Sequence, residues 1–183
     1  MPFDPTQPQT GELIDAVQLR DQFNGLKALI DAQAATTTFG RVAADWTSSS
    51  ASFANVSGLA FAVAAGESWS AELVLAVVSG TSGQGLKFRV AGPGAASVLI
   101  AMQGTGSSGS TASECEVQTA FSVASPAKTF CSGTNLTGVV RVHVVVVNAS
   151  AAGSVQLQAS NSSGSGTVTV KAGSDLVGRR TGP

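Results

Sequence analysis

The chain has 183 residues, of which 43% are hydrophobic and only 11% charged, with ten basic and eleven acidic side chains and a net charge of −1. That length suits one sizeable domain plus an appendage, and the apolar fraction excludes a wholly disordered chain. The charge content is well under the roughly 25% usual for soluble domains, and Arg179-Arg180 is the densest basic cluster, so counterion-driven nucleic-acid binding is not expected.

A near-neutral surface of Ser, Thr, Ala, Gly, Asn and Gln favours association. No stretch reaches the roughly 18 apolar residues of a membrane span. Met1-Pro2-Phe3-Asp4-Pro5 carries neither the basic nor the apolar region of a secretory signal, so synthesis and assembly in a cytoplasm are expected.

In chain order, residues 1–14 come first, with Pro2, Pro5 and Pro8 spaced by three. Proline fixes φ and removes a donor, which predicts an extended arm. Such an arm reaches on the order of 40 Å, and its Phe3, Asp4, Pro5 and Pro8 are candidates for anchoring on a neighbouring surface. Residues 15–35 then turn helical. Asp15 and Gln18 have capping-box spacing. Ala16, Leu19, Phe23, Leu26 and Ile30 recur at alternating steps of three and four, an a/d seam widened by Val17 and Leu29. An isolated helix of this length is marginal in water, so the stripe must be buried. Either the following domain or sister copies of the chain could cover it. Residues 36–40 read as a linker that carries the helix away from the head, which favours sister copies and a trimeric stem.

Residues 41–178 are short alternating runs punctuated by Gly, Ser and Asn. Strands are predicted at 52–54, 59–64, 68–78, 86–91, 96–102, 114–123, 128–131, 139–147, 154–159 and 166–172. Turn chemistry lies at 80–85, 104–109 and 161–166, and residues 179–183 read as a tail. About ten short strands with no helix between them predict a mainly β fold, an antiparallel β-sandwich of jelly-roll-like kind. Within 139–147, Val140, Val142, Val144 and Val146 make one apolar face. Arg141 and His143 share the other with Val145 and Val147, a half-apolar surface that suggests cover by a neighbouring subunit. If 114–123 and 128–131 form a hairpin centred near Val123, Cys115 and Cys131 face each other across it. Two readings stand for them, reduced core thiols or a disulfide.

Catalytic patterns are absent. His143 is the sole histidine, too few for a metal set, and no Gly-X-Ser-X-Gly elbow exists. Gly104-Thr-Gly106-Ser-Ser-Gly109 matches a dinucleotide fingerprint in letters only, because more loop follows it and not a helix. Ser125-Pro-Ala-Lys128 lacks the helix that a Ser/Lys pair needs. Glu114 and Glu116 share one strand side, while Glu67 and Glu72 flank Trp69. An enzyme would require Trp69, Glu67 and Glu72 to line one deep pocket. With 5% aromatics and no tyrosine, a sugar platform is hard to assemble. No catalytic residue, metal or cofactor is therefore expected.

The run from Asp4 to Ala16 (Asp-Pro-Thr-Gln-Pro-Gln-Thr-Gly-Glu-Leu-Ile-Asp-Ala), followed by Leu19 to Asp31 (Leu-Arg-Asp-Gln-Phe-Asn-Gly-Leu-Lys-Ala-Leu-Ile-Asp), resembles the N-terminal module of small virion proteins of tailed bacteriophages. Val63 to Trp69, Gly85 to Pro93 and Val168 to Leu176 are similar to pieces of the β-sandwich of phage structural proteins. The relatives often carry an aromatic two residues after Gly173-Ser174, where this chain has Asp175 and Leu176. The resemblance implies a homotrimer on the virion exterior, as a capsid decoration (cement) protein, head fibre or tail-fibre component. It implies the major capsid protein or another virion protein as partner. The alternative is a tail-fibre or receptor-binding protein whose head binds host glycan.

Overall fold

The computed structural model describes residues 15–80, 83–94, 96–106, 113–123 and 126–182. The predicted arm, with Phe3, Asp4, Pro5 and Pro8, lies outside them. The chain divides between Thr37 and Thr38 into two compact units.

The first unit holds one helix, α1 (Ala16–Ala35). Asp15 starts it, as its carboxylate accepts the Val17 N–H at 3.1 Å and its carbonyl the Leu19 N–H at 3.0 Å. Lys27 and Asp31 pair one turn apart at 2.5 Å on the polar side.

The second unit is a mainly β, antiparallel sandwich, as the alternating pattern predicts. Its strands are β1 (Thr37–Arg41), β2 (Trp46–Ser48), β3 (Ala54–Val63), β4 (Ser68–Ser79), β5 (Leu86–Ala91), β6 (Ala96–Thr105), β7 (Ser113–Gln118), β8 (Leu136–Asn148), β9 (Gly153–Asn161), β10 (Val168–Val170) and β11 (Asp175–Gly182). The large sheet runs β1-β11-β4-β8-β6-β7, with β2 attached through β10. Strands β10 and β11 share one edge of β4 end to end, β10 opposite Val77–Ser79 and β11 opposite Ser68–Val74. The small sheet is β3-β9-β5.

The core lies between the sheets. Val140, Val142, Val144 and Val146 of β8 are buried with Leu73 and Leu75 of β4 and Ile100 and Met102 of β6. From the small sheet they meet Leu59 and Phe61 of β3, Phe88 of β5 and Leu157 of β9. A period of two puts alternate side chains on opposite faces, so one run of valines builds both the core and the outer surface of β8.

Four local expectations need correction. Residues 37–40, read as linker, form β1 together with Arg41 and pair beside β11. Residues 179–182, read as tail, continue β11, which adds hydrogen bonds to β4 through Gly182. The hairpin centred near Val123 does not form. Strand β7 ends at Gln118 and pairs with β6, putting Cys115 opposite Gln103. Beyond it the chain bends at Ser122 (φ 54°), and the Phe121 ring sits on Gly92. Residues 128–131 contribute one bridge, Phe130 to Leu86, and no strand. The cysteines are both free, Cys115 exposed and Cys131 buried, so the geometry of the disulfide reading is absent.

Candidate assembly surfaces

The predicted stem residues all lie on α1 and are solvent-exposed there. Leu19 is 44% exposed, Phe23 63%, Leu26 41% and Ile30 60%, and Ala16, Val17 and Leu29 are exposed beside them. Large apolar side chains standing this wet along one helix stripe mark a surface made to be covered.

The second surface belongs to the large sheet. Register places its outward side chains in rows across β11, β4, β8, β6 and β7. One row reads Val177, Glu72, His143, Ala101, Val117, and the next includes Arg179, Ser70, Val145 and Leu99. Val147 and Val139 lie above and below on β8. On β1, Phe39 alternates with Thr38 and Gly40, which face Gly178 and Leu176, so Phe39 points outward too. Every large hydrophobic residue exposed on the described sandwich, namely Phe39, Leu99, Val117, Val139, Val147 and Val177, is therefore on this one face. The small sheet exposes none. The sequence signalled only the β8 part, since Leu99, Val117 and Val177 sit in strands whose outer pattern is otherwise polar.

The residues weighed for chemistry are dispersed. Trp69 is buried and packs against Phe61 at 5.5 Å between ring centroids. The Glu67 carboxylate accepts from the Ala64 N–H, the Trp69 indole N–H and Arg180 at 2.8, 2.9 and 2.9 Å. It is a structural clamp at the β3–β4 turn. Glu72 lies on the outer face, paired with Arg141 at 3.4 Å. These three residues do not line one pocket.

His143 and Ser70 are within hydrogen-bond distance at 3.1 Å, beside a hollow that also touches Glu72, Val177, Arg179 and Thr181. A Ser-His-acid triad needs the carboxylate to orient the imidazole, but Glu72 is turned to Arg141. Glu114 and Glu116 do share one side of β7, and each is a tether. Glu114 pairs with Lys128 at 2.9 Å. Buried Glu116 accepts the Ala127 and Lys128 N–H groups at 3.2 and 3.0 Å and the Gln118 amide at 2.9 Å. Burial pushes the Cys131 thiol up, and its Sγ lies 2.9 Å from the Leu136 carbonyl.

Among the described residues no group of three or more His, Cys, Asp or Glu could hold a metal ion, and no helix is long and apolar enough to cross a membrane. What converges on this chain is apolar surface at two places, α1 and the outer face of the large sheet. No family model matches the chain, and no curated protein matches it.

Proposed function

We propose that this chain is a non-enzymatic structural protein of a bacteriophage particle. In this reading it is a homotrimeric capsid decoration or head-fibre protein on the virion exterior, assembled in the host cytoplasm. The observation that carries it is the exposed stripe of Leu19, Phe23, Leu26 and Ile30. Burying a large apolar side chain is worth about 1.5–3 kcal/mol, so four per chain can offset the several kcal/mol that association costs. Three such stripes close a parallel bundle with an a/d core. The resemblance of residues 4–31 to phage virion modules supplies the setting, and the low charge suits a part embedded in an assembly. Residues 2–14 of each copy would hold the shell or a neighbour, and weak contacts repeated about a three-fold axis add through avidity.

Replacing Phe23 and Leu26 together with Asp tests this. Both side chains are exposed in the single chain, so the sandwich should keep its circular-dichroism spectrum while mass photometry shifts from trimer to monomer. A variant that stays trimeric would refute the stem.

A further inference from the structure

We infer that the outer face of the large sheet is a second contact between copies, in which the β6–β7 side of one head packs against a neighbouring head; this rests on the trimeric reading above. Three observations support it. Each of the six large hydrophobics exposed on the described sandwich lies on that face. Its β6–β7 side presents Ser97, Leu99, Ala101, Gln103, Cys115 and Val117, none of them charged, while Glu72, Arg141, Asp175 and Arg179 lie across β4, β8 and β11. Surfaces that close against protein are depleted of charge in just this way.

The third observation is size. Spread over six strands, the face covers on the order of 600 Å² in projection, below the roughly 800 Å² per partner of a stable free-standing interface. Such a face holds a partner only if the partner is already tethered nearby. The chain supplies that tether, because α1 ends at Ala35 and β1 begins at Thr37, with Phe39 of the same face two residues further on. A stem of three helices would therefore hold three copies of this sheet together, each tethered at its β1 edge with the β6–β7 side roughly 20–24 Å across the sheet, at an effective concentration in the millimolar range. The tether selects a second copy as the occupant over an untethered shell protein.

Cys115 reports on this face without any engineering. It is exposed in the single chain, whereas Cys131 is buried and serves as the slow internal reference. The test is labelling of the full-length protein with fluorescein maleimide, with peptide mass spectrometry to assign the thiol and mass photometry to give the oligomer. Cys115 should label at least about tenfold more slowly in the trimer than in the Phe23→Asp, Leu26→Asp variant. Val117→Asp, a change at an exposed side chain, should restore fast labelling while the trimer mass is kept. A trimer whose Cys115 labels as fast as that of the monomer overturns the inference and leaves the stem standing. A wild-type protein of monomer mass overturns the stem, and this contact with it. Protection that appears only on assembled particles would assign the face to the shell and overturn a sister copy as occupant.

Discussion

Glu67 and Trp69, two residues apart where β4 begins, are joined through the carboxylate and the indole N–H at 2.9 Å. The Ala64 N–H first, then the indole and Arg180, lower the Glu67 carboxyl from its ordinary 4.5 to about 2. A carboxyl held lower in the folded state stabilises it above the unfolded value. That contribution is fully present above about pH 4.5 and is lost as pH falls towards 2. Glu67→Gln should therefore lose about 1–3 kcal/mol at neutral pH, and urea midpoints should show a flatter acid limb than wild type. Parallel acid limbs would show that Glu67 does not carry this linkage.

Gly58 has φ +85°, and a Cβ there would stand 2.1 Å from the Arg41 carbonyl oxygen. Gly66 has φ +81° with no atom within 4 Å of its Cβ position. Backbone strain is common to both, and only Gly58 adds a collision with β1. Gly66→Ala should cost about 1–2 kcal/mol and Gly58→Ala at least about 3 kcal/mol. Equal losses in urea titrations would mean that the close approach is relieved cheaply.

Phe130 is fully buried and stands 6.0 Å from Phe88 between ring centroids, although its own segment forms no strand. Phe130→Ala should cost about 3–5 kcal/mol. Val139→Ala, on the outer face, should stay within about 0.5 kcal/mol in the Phe23→Asp, Leu26→Asp background. A small loss at Phe130, measured in that same background, would place it outside the core.

Exposed Cys115 lies on β7 and buried Cys131 in the irregular segment before β8. Protein purified without reductant should keep both thiols, and intact mass spectrometry should show no deficit of two hydrogens. A single-chain species lacking those hydrogens would contradict the register of β7 on β6.

Where one simple physical signal governs a segment, the sequence was enough. Alternation located β8 and its buried valines, and strand β5 was bounded to the residue at Leu86 and Ala91. Polar or glycine-bearing strands escaped. In β1 and β11, Thr38, Gly40 and Gly178 face inward, and close approach replaces the apolar alternation that normally announces a strand. Alternation also misled at 114–123, where Glu116 is satisfied by backbone N–H groups of residues 127 and 128, a loop bond that periodicity cannot foretell. The helical stripe was legible through its spacing. The sheet face was only half legible, because Leu99, Val117 and Val177 come onto one face only through strand pairing across the chain.

The adjacency of β1 and β11 puts the earliest and latest strands of the head side by side. A ribosome therefore releases α1, greasy stripe included, well before the sheet can finish closing. Until β11 arrives, the Ser68–Val74 edge of β4 has no partner on that side. Removing residues 175–182 would leave this edge open as a template for any passing strand. Such a truncated chain should precipitate during synthesis, so an added fusion belongs after the end of β11 and never within it.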